Sequence, residues 1–206
     1  MSGVEAVNAA LWRSARRGVL EAADRLERVG FVVGQGVILL PAPASLEPGT
    51  LEDAVLWVPD EGEESLAVQV EIRLLEDETS GHARLIDRWE AYHGRRGAAR
   101  FAVCGVSGAR LGGMVIDGDD LRLVNTLGNE GALLRRLNAD KLLLAQCVRE
   151  RLGVDVHEPT AVGVDQRGID VRTRTGVVRL GVDGGVMNDG EAAELVEGLL
   201  GGVKTK

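Results

Sequence analysis

The stretch from Leu137 onward constrains the fold of this chain more than any other part. Leu144, Val148 and Leu152 recur at helical spacing, and three β-rich runs follow at 161–164, 169–173 and 177–182. Gln166-Arg167-Gly168 and Arg174-Thr175-Gly176 are the turns between them, and a last helix opens at Asn188 with Glu191 in capping-box register. Strands this close in sequence pair antiparallel, because a parallel pair needs a crossover of a dozen residues or more. The block therefore predicts an α+β unit and not alternating β-α-β. A helix from about Glu130 to Arg151, stopped by Gly153, leads into it.

Upstream, Val4, Val7, Leu11, Ala15, Val19, Ala22, Ala23 and Leu26 recur every three or four residues, which predicts an amphipathic helix over 4–29 with Ser2 and Glu5 as its capping box. Gly30 ends it. Residues 31–40 are β-rich, with Gly34 and Gly36 marking a turn, and Pro41, Pro43, Pro48 and Gly49 predict a loop. Strands follow at 54–58 and 66–74, the second alternating Val68, Val70, Ile72 against Gln69, Glu71, Arg73, so one of its faces meets water. A helix over 81–92 presents Leu85, Ile86 and Trp89 as a core stripe. Strands at 101–106, 112–116 and 121–124 complete the set, the last two joined through Asp117-Gly118-Asp119. The expectation is an antiparallel six-stranded, split-barrel-like domain over residues 1–127 and a small αβββα domain over 128–206.

Composition removes several classes of function. A net charge of −8 gives no basic footprint for a phosphate backbone, so nucleic acid is not an expected partner. Two cysteines, Cys104 and Cys147, make neither a disulfide framework nor a zinc knuckle, and both read as small buried hydrophobes. No leader-like segment opens the sequence and no apolar run reaches about eighteen residues, so the expected location is the cytoplasm, away from membranes.

The pieces Leu137-Asn138-Ala139-Asp140, Val162-Gly163-Val164-Asp165 with Gly168, Val177-Val178-Arg179-Leu180 and the helix at 189–200 resemble, in order and spacing, the small C-terminal domain of HugZ-type haem-degrading proteins and related pyridoxamine-phosphate-oxidase-like split barrels. They cover about a third of the chain. The family pattern has a His after the Asn-Ala-Asp run where this chain has Lys141, so no role of that His carries over. The resemblance implies a homodimer and a cleft for a flavin or tetrapyrrole, its phosphate held by Arg, Lys, Ser or Thr on strands and the following helix, because a dianion needs several charge-assisted donors at one point. The residues offered for that role are Arg73, Thr79, Ser80, Arg84 and Arg100. Arg84, Arg95 and Arg96 read more simply as a solvated helix face and its exit loop.

No catalytic residue and no metal ligand is assigned. His82 and His93 lie eleven residues apart, about 16 Å along a helix, too far to share a metal, and His157 reads as a loop residue. The acidic runs at 60–64 and 76–78 lack the alternation of a calcium loop. Two further readings stand beside the split barrel. One is a dimeric secretion-chaperone-like protein that holds a partner segment, built on residues 15–150 with a helix-to-strand junction at Leu26–Phe31. The other is a metal-dependent hydrolase using Asp53 and Glu71, in which Arg73 stands where such sites place a Lys.

Overall fold

The computed structural model describes residues 2–13, 16–43, 46, 50–59, 64–75, 81–95, 100–121, 123–182 and 187–201. The chain forms two compact units, Met1–Val124 and Asn125–Lys206. No helix among the described residues is long and apolar enough to cross a membrane.

Unit 1 opens with α1 (Gly3–Arg13), capped reciprocally as its sequence predicts: Ser2 N donates to Glu5 Oε2 at 3.1 Å and Glu5 N to Ser2 Oγ at 3.2 Å. The helix stops at Arg13, and in place of a helix to residue 29 the chain makes a hairpin of β1 (Arg17–Ala22) and β2 (Arg25–Gly30). The reason is local. Arg16 takes a left-handed φ of 57°, turns its side chain inward, and donates from Nη1 to the Leu11 carbonyl at 3.2 Å, one of the carbonyls left over at the end of α1. Its guanidinium lies 4.8 Å from the Trp12 ring centroid. Ala23 and Asp24, at φ 48° and 59°, then form a two-residue turn with both central residues in the left-handed region, the geometry that matches strand twist.

A second such hairpin joins β3 (Val32–Gly34) to β4 (Val37–Pro41) through Gln35 and Gly36. The meander continues with β5 (Thr50–Val58), β6 (Leu66–Leu74), α2 (Ala83–His93), β7 (Phe101–Leu111) and β8 (Met114–Asp117). The eight strands are all antiparallel, in the order β2-β1-β5-β6-β7-β4-β3 with β8 also on β7, and the sheet curls into a half-barrel consistent with a split barrel. Eight strands replace the expected six: the misread helix supplies two, and residues 31–40 supply two where one run was expected. The β7–β8 turn is at Gly112-Gly113; Asp117 instead caps a short 3-10 turn, accepting from Asp119 N at 3.0 Å, and Leu121, Leu123 and Val124 form no strand. On β6, Val68, Val70 and Ile72 are buried and Gln69, Glu71 and Arg73 exposed, as the alternation requires. Leu20, Phe31, Ile38, Leu56, Val68 and Ile72 fill the core with Leu11 and Trp12 of α1.

Unit 2 runs α3 (Glu130–Asn138), α4 (Lys141–Leu152), β9 (Thr160–Asp165), β10 (Gly168–Thr173), β11 (Gly176–Gly181) and α5 (Asp189–Gly201), the strands forming one antiparallel sheet in the order β11-β10-β9. The layout is ααβββα, because the expected helix over 130–151 is broken in two. Asn138 turns its amide onto the edge of β9, accepting from Ala161 N at 2.8 Å and donating to Ala161 O at 2.9 Å. Asp140 then leaves helical geometry and caps α4, accepting from Leu143 N at 3.0 Å. The last helix is capped as expected, with Asn188 Oδ1 accepting from Gly190 N and Glu191 N and Glu191 Oε2 accepting from Asn188 N at 2.8 Å.

Candidate functional site

The β1–β2 hairpin places side chains that a helix would have scattered. Arg17 stands opposite Gly30 and Val19 opposite Arg28, so Arg17 and Arg28 share one face of the sheet as diagonal neighbours. Against this corner lie the last turns of α2. Trp89 Nε1 donates to the Gly30 carbonyl at 2.8 Å, and His93 Nε2 lies 3.1 Å from the Phe31 carbonyl. A side chain at Gly30 would not fit, since its Cβ would come 2.7 Å from Nδ1, 2.8 Å from Cε1 and 3.0 Å from Cγ of His93. Three consecutive ring atoms at nearly equal range mean that the β2 backbone sits over the imidazole face. Trp89 flanks the same ring, with centroids 4.9 Å apart.

These residues enclose a cleft of about 650 Å³, lined among the described residues by Arg17, Gly18, Arg28, Val29, Gly30, Pro59, Trp89 and His93. Two guanidiniums, one imidazole and no carboxylate appear in that lining. Neither Arg17 nor Arg28 has a hydrogen bond or ion pair among the described residues. A carbonyl only accepts, so Nε2 of His93 carries the hydrogen and Nδ1 is left as a lone-pair acceptor. Burial pushes the His93 pKa below its ordinary value of 6.5; the bond to Phe31 opposes that shift, and the charges of Arg17 and Arg16 add to it. The ring is therefore neutral at pH 7.

The residues offered from sequence for a cofactor phosphate fall elsewhere. Arg73 is exposed on β6, Arg84 is exposed in the first turn of α2, and Arg100 is exposed ahead of β7, donating to the Leu46 carbonyl at 3.4 Å. None of the three lines the cleft. Thr79 and Ser80 lie outside the described residues, as do Arg96, the acidic run at 76–78 and most of the run at 60–64. Leu85, Ile86 and Trp89 are buried as expected, and so are both cysteines; burial pushes the Cys104 thiol up to about 12. His157 is exposed, and His82, just before α2, keeps a buried Nδ1 with no hydrogen-bond partner among the described residues. A bulge in β5 sets Asp53 in the stretch of that strand facing Glu71, with both side chains exposed, yet no cluster of three metal-ligating residues occurs among the described residues. Leu26–Gly30 is strand, which removes the helix-to-strand junction of the chaperone-like reading.

In unit 2 the residues that carried the family resemblance have structural tasks. Arg179 donates from Nη1 to Asp170 Oδ1 at 2.7 Å and from Nη2 to Asp165 Oδ1 at 2.5 Å, all three side chains being at least nine-tenths buried. Burial alone would lower the Arg179 pKa, but Asp170 and Asp165 outweigh it and hold the guanidinium charged. Gly168, at φ 155°, has the Leu180 carbonyl where a Cβ would sit. Together with Asn138 and Asp140, these positions define a fold.

No protein-family model matches the chain. No curated protein matches it either. Among solved structures it is similar to a protein of unknown function from Agrobacterium tumefaciens str. C58, with a TM-score of 0.65 at 16% identity and 97% of each chain covered, a likeness of fold. A heme binding protein from Mycobacterium smegmatis superposes at a TM-score of 0.43 and 17% identity over 97% of this chain and 98% of its own, too loosely to bear on function.

Proposed function

We propose that this chain is a split-barrel-related binding protein whose unit 1 cleft takes a flat, anionic ligand of flavin or tetrapyrrole size, weakly and without catalysis by its own side chains. One observation carries the reading: a protein of net charge −8 has, around one cleft, two arginine side chains and an imidazole nitrogen without hydrogen-bond or ion-pair partners among the described residues. Its volume of about 650 Å³ lies within the rough 300–1,000 Å³ range of small-molecule sites. Arg17 and Arg28 suit the anionic end, and the Trp89–His93 pair forms a wall for the flat part. A bound flavin would supply redox chemistry; the chain's own residues bind and orient it.

Titration of the purified protein with flavin mononucleotide, followed by absorbance and fluorescence, tests the reading. Weak saturable binding that is lost when Arg17 and Arg28 are both replaced by Glu is the expected outcome, and an unchanged affinity in that variant removes the cleft from the reading. Haem is expected to give no tight stoichiometric complex, since Lys141 stands at the family's His position and His157 is exposed. A sharp Soret band abolished by His157→Ala or His93→Ala would overturn that and name the ligand. The resemblance also implies a homodimer, which light scattering tests; a strict monomer at working concentration counts against a shared cleft.

A further inference from the structure

We propose that the Arg17–Arg28–His93 end of the cleft is a site for an oxyanion that still carries a proton, inorganic phosphate or the monoanion of a phosphate monoester, and that it takes such an ion in preference to sulfate. This rests on the reading that the cleft is the ligand site and adds which polar group the ligand brings there.

The two guanidiniums supply donors only, in a planar fork that fits two oxygens of a tetrahedral anion. Diagonal neighbours on an antiparallel pair stand about 7–8 Å apart at the backbone, so both side chains can reach one ion. Gly30, opposite Arg17, adds no side chain between them. By themselves two arginines would not distinguish phosphate from sulfate, which have the same shape and similar charge. The third group does. His93 presents a lone pair at Nδ1, because its hydrogen is committed to the Phe31 carbonyl. A lone pair repels the oxygens of an anion that has no proton left and accepts a hydrogen bond from one that has a P–OH. Sulfate has no proton to give at any pH at which proteins are ordinarily handled.

The ring cannot easily exchange roles. Its face is covered by the Gly30 backbone and its flank by Trp89, so a flip would have to clear both and would break the bond to Phe31. The charged groups around it work the same way: Arg17 at the start of β1 and Arg16 just before it disfavour a second proton on the imidazole, Arg28 of β2 lines the same cleft, and the acids on its own helix are the half-buried Glu90 and the exposed Asp87. With His93 neutral, the lone pair is available near pH 6.5 and above. Inorganic phosphate keeps a P–OH both as monoanion and as dianion, so its advantage over sulfate should hold to about pH 8, whereas a phosphate monoester loses its only P–OH on becoming a dianion and loses the advantage with it.

The test is calorimetric titration of the full chain with inorganic phosphate and with sulfate at matched ionic strength. At about pH 6.5 and at about pH 8 phosphate should bind about tenfold more tightly than sulfate or better, the worth of one charge-assisted hydrogen bond, while methyl phosphate, titrated in the same way, should lose that advantage between about pH 6 and about pH 8. His93→Phe should leave sulfate binding in place and bring phosphate down to it, whereas Arg17→Met with Arg28→Met should remove both. Since the pH comparison uses the unaltered chain, a variant that fails to fold does not rescue the proposal. Equal binding of the two anions at pH 6.5 overturns it. Absence of both anions while flavin still binds also overturns it and leaves the proposed function standing; selective phosphate binding without any flavin binding upholds it and removes that function.

Discussion

In the C-terminal unit a guanidinium is taken out of water and matched to two carboxylates, whereas in the N-terminal unit two guanidiniums stand at a cleft with no acid among the described residues bonded to them. Both arrangements use arginine, and they serve opposite ends. Arg179 satisfies Asp165 and Asp170 across β9, β10 and β11, so its charge is spent on holding three strands in register. The side chains of Arg17 and Arg28 bond to no other described residue, and their charge stays available to a ligand. Arg16 is buried like Arg179, and its guanidinium meets a carbonyl and the faces of Trp12 and Tyr92. Paired charge in this molecule marks architecture, and unpaired charge marks the place to look for function.

The comparison breaks first if Arg179 is not architectural. Arg179→Met removes the guanidinium that both buried carboxylates accept from, and removal of one partner from a buried ion pair costs about 3–5 kcal/mol. Chemical denaturation should show a loss of that size, with no effect on anion or flavin binding by unit 1. A loss under about 1 kcal/mol, the range of surface substitutions, would mean that the triad is not holding the sheet. The counterpart in unit 1 is Trp89→Ala. Trp89 is buried and anchors α2 to the Gly30 carbonyl, so truncation should cost roughly 3–5 kcal/mol and release the wall of the cleft. A small loss with intact fold would show that the indole faces a ligand or partner instead of the core.

What could be read from the sequence divides along the same line. Unit 2 was legible because its punctuation is strong: Asn188 with Glu191 caps a helix, Gly168 has no room for a side chain, and the turns 166–167 and 174–175 separate short β-rich runs. Even there, Asn138 and Asp140 stood out as a family signature without disclosing that they break one helix into two. The cleft was hidden because its hairpin turns on Ala23-Asp24, and alanine is not a residue that announces a left-handed turn. With Val19, Ala22, Ala23 and Leu26 also fitting a helical period, nothing local opposed the longer helix, and Arg17 and Arg28 then read as residues three turns apart. The available signal was Arg16-Arg17-Gly18: Gly18 has the Trp57 carbonyl 2.4 Å from where its Cβ would be, a requirement that only the paired strands reveal.

A smaller effect sharpens the account of unit 2. Asp140→Ala removes the cap of α4 and should cost about 1 kcal/mol, seen as a shift in denaturation midpoint with an unchanged slope. If Asp140 belonged to a ligand site of the kind the resemblance suggests, its loss would alter binding more than stability. The two readouts, taken on one variant, separate a capping residue from a binding residue.

The smallest expected effect titrates a single group and concerns unit 1. Because His93 is held neutral in the fold, its pKa lies below the 6.5 of the unfolded chain, so between those two values the unfolded state binds more protons than the folded one. Stability from this group is then complete above about pH 6.5 and is lost as pH falls through the folded value, the direction expected of a base whose pKa is depressed. Unit 1 of the unaltered protein should show this added acid sensitivity, and His93→Gln, which keeps a donor for the Phe31 carbonyl but cannot titrate, should not. Phosphate near pH 6.5 should stabilise the unaltered chain, since a ligand that prefers the neutral imidazole binds only the folded state. If both proteins lose stability in parallel below pH 6.5, the imidazole is not the group that senses the proton, and the lone pair assigned to Nδ1 has no role in the cleft.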